Sequence, residues 1–577
     1  MPGNHDTDQR WIVAEAPQGE NERALQQNLG LHPLVAGILG RRGVSSVEAA
    51  DRFLNPSLEH LHDPFQMKGM EAGVARIIRA LEENQRIVIS GDYDVDGITS
   101  SAVLTQFLRQ AGCGNLEVFI PNRFDHGYGL TDQTVEALMA LSPELVITVD
   151  NGITAIEEVA RMQGMGVDTV ITDHHQPRAD GIPPGIVINP RQPDCPYPFR
   201  DISGCGVTFK LITALRKALR DRDWWNDSRP EPNLKAFLDL VAIGTIADVV
   251  PLLDENRILV RHGLEVMNRG GYRPGVAALL AVSRVKTPVT SRKIAFQVAP
   301  RINAAGRMSE GSLGVALLLE QDAATAEKLA LGLDEENTKR RSREEEMLRE
   351  AVQLVTRSGW ENQPALVVSS PGFHEGIIGI IAARLVDRFH CPAVVLAANG
   401  DGLKGSIRSV PGLNVTNALT ACAEYLTRYG GHAGAAGCSL PEENLEAFRK
   451  AFIEACQREM ESAQGPVLEI DGRLEPDGCD LTLAEQVEAL APFGHHNEEP
   501  LFLMAGNRLG DQRSVMAEKH LKWRLPGGVE VVAWNQAGKL DSTEKLGLLV
   551  KMGINEFRGN RRVQLILEDY RQEEPAR

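Results

Sequence analysis

Three times between residues 86 and 173 the chain runs through a short β-branched apolar stretch and stops on a carboxylate: RIVISGD, ELVITVD and VDTVITD. Runs of this length read as buried strands rather than helices. A fourth strand, LEVFIP, ends without an acid. Between them lie AGVARIIRALEENQ, ITSSAVLTQFLRQAG, TDQTVEALMAL and TAIEEVARMQ, all apolar at helical spacing. Strands that alternate with helices pair in parallel and are covered by those helices, so a parallel α/β sheet is predicted. In such sheets ligands collect at the carboxyl ends of the strands. Asp92, Asp150 and Asp173 with His174 and His175 fall at those ends, and FLDLVAIGTIADVVPL places Asp248 after another apolar run.

The densest cluster is DYDVDG, with Asp92, Asp94 and Asp96 at alternate positions. One carboxylate at a strand-to-helix turn is a helix cap, but three repel unless a cation joins them. The motif opens like a calcium loop, which needs a bidentate glutamate at its twelfth position. Val103 stands there. A divalent-metal site fits better, because carboxylates with imidazole suit Mn²⁺, and Mg²⁺ next. Four or more carboxylates exceed the needs of one ion, so two ions sharing a carboxylate are expected, about 3.5–4 Å apart. Singly, Asp150 reads as a cap, His174 as a loop histidine and Asp248 as a turn residue. Together, at the ends of successive elements, they read as a site.

The totals bound the rest. With 577 residues the chain is too long for one core, and roughly three or four domains are expected. The eight cysteines form no CxxC pair, which argues for a reducing, cytoplasmic setting and against a thiolate zinc site. No apolar run reaches the roughly 20 residues of a membrane helix, and the polar start carries no signal core. Net charge is −17, yet residues 501–577 hold 13 Lys+Arg against 10 Asp+Glu. In that tail LKWRLPGGVEVVAW reads as a hairpin and LGLLVKMGINEFRGNRRVQLILEDY as two strands around a Gly-Asn turn. Trp523, Trp534 and Phe557 lie among Lys522, Arg524, Arg558, Arg561 and Arg562. The basic face can track a nucleic-acid backbone; alternating aromatics are more often barrel core, so no single aromatic is assigned to DNA.

DYDVDG, VDNG, TDHH and IADVVP resemble the successive motifs of the DHH phosphoesterase superfamily, and GGHAGAAG (430–437) resembles its DHHA1 companion domain. FHEGIIGIIAAR, KGSIRS and RINAAGRM further resemble the RecJ branch, the single-strand-specific 5′→3′ exonucleases. The resemblance implies an N-terminal extension (1–65) packed on the catalytic domain, a parallel-sheet DHH catalytic domain (66–312) and a helical linker (313–360). A smaller α/β DHHA1 substrate-binding domain (361–462) and a C-terminal β-barrel OB-fold that binds nucleic acid (463–577) follow. The bland reading of the charged linker is a solvated helix.

It also implies roles. Asp94 and Asp96 each hold a different metal, Asp150 bridges them, and His174 and Asp248 complete one ion. His175 contacts the scissile phosphate or helps protonate the leaving oxygen. Asp92 is an outer-shell carboxylate or an extra ligand. Some members carry a histidine four residues before the position of Asp94; this chain has Ser90 there, which leaves one metal less tightly held or more water-ligated. Ser406 and Arg408 resemble a pair that grips a terminal 5′-phosphate, and an arginine fork with a hydroxyl suits that anion. His374, His432, Arg301, Asn303 and Arg307 are further substrate contacts, the last three with a packed-loop alternative. The implied activity is 5′→3′ digestion of single-stranded DNA to mononucleotides in recombination and repair. It would use two divalent ions, Mn²⁺ preferred and Mg²⁺ possible. Polarity is expected from the 5′-phosphate clamp, across a cleft between the two α/β units. A monomer is expected, with single-strand binding protein as partner and no membrane association. The alternative within the superfamily hydrolyses short oligonucleotides or cyclic dinucleotides, and outside it stands a non-catalytic nucleic-acid binder.

Overall fold

The computed structural model describes residues 10–15, 19–122, 125–127, 129–308, 311–400, 402–462, 467–507, 513–525, 527–538, 540 and 545–572. Contacts divide the chain into two units, one comprising Ile12–Asp334 with Glu469–Arg577 and the other Glu335–Leu468. The division falls inside the 35-residue helix Ala323–Arg357. That helix is not solvated all round: Ala326, Ala330 and Leu333, then Met347, Ala351 and Val355, are buried, a stripe at helical spacing.

The first unit holds the predicted five-stranded sheet, all parallel, in the spatial order Leu116–Phe119, Ile87–Gly91, Leu145–Val149, Asp168–Thr172, Ile186–Ile188. Numbered along the chain this is 2-1-3-4-5. The order reverses between the strands that end at Asp92 and Asp150, and open α/β sheets bind ligands at that switch point. Ile87–Gly91 and Leu145–Val149 are buried along their whole length, as parallel strands covered on both faces must be.

The C-terminal sheet has seven strands in mixed pairing. His520–Arg524 pairs antiparallel with Glu530–Ala533, and Leu546–Phe557 with Asn560–Gln572, as the sequence predicts. Trp523 is 1% exposed and belongs to the core, whereas Trp534 and Phe557 lie open. Lys522 and Arg561 are ion-paired to Glu530 and Glu485. The N-terminal segment is shared between two cores: Leu58, Leu61 and Phe65 pack against that of the parallel-sheet region. Helices Glu20–Leu29, Pro33–Arg41 and Val47–Leu54 bury Leu25, Ile38, Leu39 and Phe53 in one core with Trp523, Val531, Leu548 and Leu565. Their apolar faces therefore complete the C-terminal sheet rather than cover the parallel one. Arg257 ties the two regions together: its buried guanidinium donates to Phe53 O at 2.8 Å and Leu490 O at 2.7 Å.

The second unit is a mixed five-stranded sheet in the order Arg428–His432, Ala435–Pro441, Gly402–Arg408, Ala393–Asn399, Leu366–Ser369. Only its last pair is parallel. Phe448 and Phe452 of helix Leu445–Ser462 are buried in its core with Val394, Leu396 and Ile407. No helix among the described residues is long and apolar enough to cross a membrane.

Candidate metal centre

Register puts the acids together. Gly91 pairs with Val149, and Val149 with Thr172. The residues that follow, Asp92, Asp150 and Asp173, therefore emerge on one rim. Asp150 takes a left-handed conformation, φ 62°, which aspartate tolerates better than most residues. Asn151 anchors this turn, its Nδ2 donating to Ser90 O at 3.1 Å and Val149 O at 2.9 Å. Asp94 caps the helix Val95–Gln110, accepting from Gly97 N at 3.1 Å. Asp96 lies in that helix's first turn. Its two oxygens accept from Gly204 N at 2.7 Å and Cys205 N at 2.9 Å, the first amides of the helix Gly204–Arg220. Gly204 has to be glycine here, because a Cβ would stand 2.5 Å from Asp150 Oδ1.

Asp248 reaches the site from a different element than a strand end. FLDLVAIGTIA is helical, and Asp248 is the C-cap of Leu238–Ala247. The run is apolar all round because the helix is buried all round, and periodicity cannot separate that from a buried strand. A carboxylate at a helix C-terminus opposes the helix dipole, so the position favours a cation beside it.

Among the described residues, donor atoms lie within 4.8 Å of one another in Asp92, Asp94 and Asp150, in Asp96, His174 and Asp248, and in Asp150, His174 and His175. Asp150 belongs to two of these groups. His174 Nε2 is 3.2 Å from Asp150 Oδ1, 3.5 Å from Asp248 Oδ2 and 4.0 Å from Asp96 Oδ2. Yet, among the described residues, His174 Nε2, Asp150 Oδ1 and Asp248 Oδ2 are buried without a hydrogen-bond partner. Orphaned buried polar atoms are costly. These converge on shared points instead of on each other, and the oxygen-rich set with one imidazole fits hard divalent cations.

The electrostatics agree. Burial, then the charges of neighbouring aspartates, pushes Asp92, Asp150 and Asp248 well above the usual carboxylate range and Asp96 up to about 7. Burial, then the charge on His175, lowers His174 to about 3, so its imidazole is neutral and free to ligate. Burial also pulls on His175, but its hydrogen bond to Asp173 and the charges of Asp173, Asp248 and Asp92 win and raise it to about 9. Asp173 is the hub of that arrangement. Its Oδ1 accepts from His174 N at 2.7 Å, His175 N at 3.0 Å and His175 Nδ1 at 2.7 Å, and its Oδ2 from Ile153 N at 2.9 Å. Burial alone would raise Asp173; these bonds and the histidine charges hold it low. Asp173 fixes the backbone of both histidines and orients the His175 ring, a role that its place in the TDHH string does not reveal.

The remaining predicted residues divide. Asn303 sits on the helix Ala299–Met308 and its Oδ1 accepts from Val95 N at 3.2 Å, bracing the aspartate loop. Arg301 is engaged with Asp334 at 2.8 Å and with Val282 O at 3.3 Å. These bonds pack it on a helix rather than a loop. The side chain of Arg307 lies outside the described residues. In the second unit Ser406 and Arg408 share one face of Gly402–Arg408, and Arg408 Nη1 donates to Ser406 Oγ at 3.0 Å. Burial lowers the Arg408 pKa, and no carboxylate pairs with it among the described residues. Gly379, in the first turn of Ile378–Phe389, keeps space before this pair, since a Cβ would lie 3.0 Å from both Ser406 Oγ and an Arg408 nitrogen. His432 is opposite Ala435, which is in turn opposite Arg408. His374 lies in the turn before the helix, accepting from Gly376 N at 3.2 Å.

Family models match in chain order: "DHH family, N-terminal domain" over residues 86–245, "DHHA1 domain" over 362–458 and "RecJ OB domain" over 470–569. The chain is 38% identical over 561 residues to a single-stranded-DNA-specific exonuclease RecJ of Salmonella typhimurium, covering 93% of this chain and 96% of that protein. It is 34% identical to the Thermus thermophilus protein of the same name, covering 98% and 79%. Crystal structures of RecJ from Thermus thermophilus in complex with Mn²⁺ and with Mg²⁺ superpose with TM-scores of 0.83 and 0.77 at 31% and 29% identity. They cover 98% of this chain and 80% and 79% of theirs.

Proposed function

The chain belongs to the RecJ family of single-stranded-DNA-specific exonucleases, and from that premise we propose that it degrades single-stranded DNA from the 5′ end to mononucleotides, in recombination and repair. The observation that carries this reading is the position of Asp150, grouped with Asp92 and Asp94 on one side and 3.2 Å from His174 Nε2, a member of the Asp96, His174 and Asp248 group, on the other. We assign one divalent ion to Asp92, Asp94 and Asp150, and the second to Asp96, His174, Asp248 and Asp150. When bound, such a pair supplies charge against the phosphate oxygens and makes a water acidic enough to attack phosphorus.

The chain's own groups do the positioning. The Gly204 and Cys205 amides hold both oxygens of Asp96, so its carboxylate cannot swing away. Asp173 keeps His175 protonated and aimed, and His175 donates that proton toward the scissile phosphate or the leaving 3′-oxygen. Neutral His174 gives its Nε2 to the ion. Ser406, Arg408 and His432 grip the terminal 5′-phosphate, which sets polarity. The seven-stranded tail supports long strands as substrates over dinucleotides. The same reading includes Mn²⁺ as the preferred ion, a monomer, and single-strand binding protein as partner. The test is digestion of strands labelled at either end, with and without a 5′-phosphate, in Mn²⁺ or Mg²⁺. Release of the 5′-terminal nucleotide first, lost in Asp150→Ala, is expected. Intact strands in Mn²⁺ would overturn the reading.

A further inference from the structure

From residue 269 to 308 the chain carries eight Lys+Arg and no Asp or Glu, although its total is −17. Two of these cations are neutralised inside the fold, Arg273 by Asp239 and Arg301 by Asp334. Arg284, Lys286 and Arg292 are exposed and have no ion pair among the described residues. Local bonds gather them. Lys293 Nζ donates to Lys286 O and Pro288 O, both at 2.7 Å, which ties the loop to the short helix Ser291–Lys293. Arg301 Nη2 donates to Val282 O at 3.3 Å, which ties the start of the loop to the next helix.

Within this basic segment stands Phe296, 77% exposed, the most exposed large apolar side chain among the described residues. It lies in a π-helical turn, Ile294–Val298, and such turns are frequent at functional sites. The helix that follows packs on the aspartate loop. Asn303 bonds Val95, and a Cβ at Gly306 would stand 2.5 Å from Tyr93 O. Phe296 precedes Asn303 by seven residues, so it lies roughly 10 Å from that contact along the helix.

We propose that this segment is a track for the strand just outside the metal centre. Phe296 stacks one nucleobase, and Arg284, Lys286 and Arg292 contact backbone phosphates. An exposed aromatic among uncompensated cations is the pattern of sequence-tolerant single-strand binding. A protein partner would meet a segment that offers no carboxylate of its own to pair the partner's cations. The assignment rests on the nuclease reading above and adds a subsite to it.

The test compares 5′-phosphorylated oligothymidylates of roughly 4 and roughly 30 nucleotides, the first too short to fill a track beyond the site. Expected is an increase in KM of about tenfold for the long strand in Phe296→Ala, little change for the short one, and recovery in Phe296→Trp. The double variant Arg284→Gln/Arg292→Gln is expected to flatten the salt dependence of the long-strand KM by about 1.4 in logarithmic slope, ~0.7 per lost phosphate contact. Unaltered long-strand KM in both variants, or equal loss on both lengths, overturns the track while leaving the nuclease intact. A wild-type chain that digests neither strand overturns the nuclease reading and the track with it.

Discussion

Two five-stranded sheets in this molecule assemble polar groups by opposite means. The parallel sheet gathers its donors where strands end. Asp92, Asp150 and Asp173 come from strands separated by helical crossovers, yet in-register pairing delivers them to one rim. The mixed sheet places Ser406 and Arg408 on one strand and His432 two strands away, with Ala435–Pro441 paired antiparallel to both between them. Their charge deficits are also opposite. The rim crowds buried carboxylates whose proton affinities are raised, and it calls for cations. The strand face holds a half-buried arginine that no described carboxylate neutralises, and it calls for an anion. In the proposed function one unit holds metal and the other the 5′-phosphate.

The largest expected effect tests the first half of that contrast. Asp150→Ala removes the donor common to both groups, and activity should fall by a factor on the order of 10³ or more. Calorimetric titration with Mn²⁺ should lose binding in parallel. Arg408→Ala addresses the other half. Loss of a charge-assisted bond to phosphate costs about 1.5–3 kcal/mol, so the preference for 5′-phosphorylated over 5′-hydroxyl strands should shrink about tenfold to a hundredfold while Mn²⁺ affinity stays unchanged. If either variant damages both readouts equally, the two sites are not separable as described.

Metal removal sharpens the comparison through pH. Asp96 has a folded pKa raised to about 7, above the ordinary unfolded value. Its contribution to the stability of the metal-free chain is therefore fully present below the unfolded value and is lost as pH rises toward and through 7. Chelation should destabilise the protein more at pH 8 than at pH 5, and saturating ion at a hundred times its Kd should restore about 2.7 kcal/mol. Equal chelator sensitivity at both pH values in thermal melts would contradict the crowded-carboxylate picture. The smallest effect concerns packing. Gly204→Ala drives a methyl against Asp150, and overpacking of this kind costs roughly 1–3 kcal/mol. Activity should drop about tenfold, with Arg408-dependent end preference intact.

Much of the centre was legible in the chain because β-branched runs that stop on an acid carry both the strand and its product. Asp92, Asp150, His174 and His175 are read this way, and DYDVDG announces Asp94 and Asp96. Asp248 was readable as a residue but not as a geometry, since a helix buried on every side has no amphipathic signature. Asp173 was visible but anonymous: nothing in TDHH says that this acid holds the His175 imidazole. The ion pair of Arg301 was not legible, because its partner Asp334 is 33 residues away on another helix. The N-terminal helices show amphipathic faces without saying which core they fill.

By itself the sequence determined the local elements and the donor chemistry: strands from short apolar runs, caps from aspartates, oxygen and imidazole rather than sulfur. Tertiary structure decided which carboxylates share a point in space, that Asp96 is clamped by amides more than a hundred residues away, and that Gly204 must leave room for Asp150. The reason lies in the range of the forces. Propensity and periodicity act within a few residues. Register between parallel strands, and the approach of a helix terminus to a buried acid, are set by packing across the whole core.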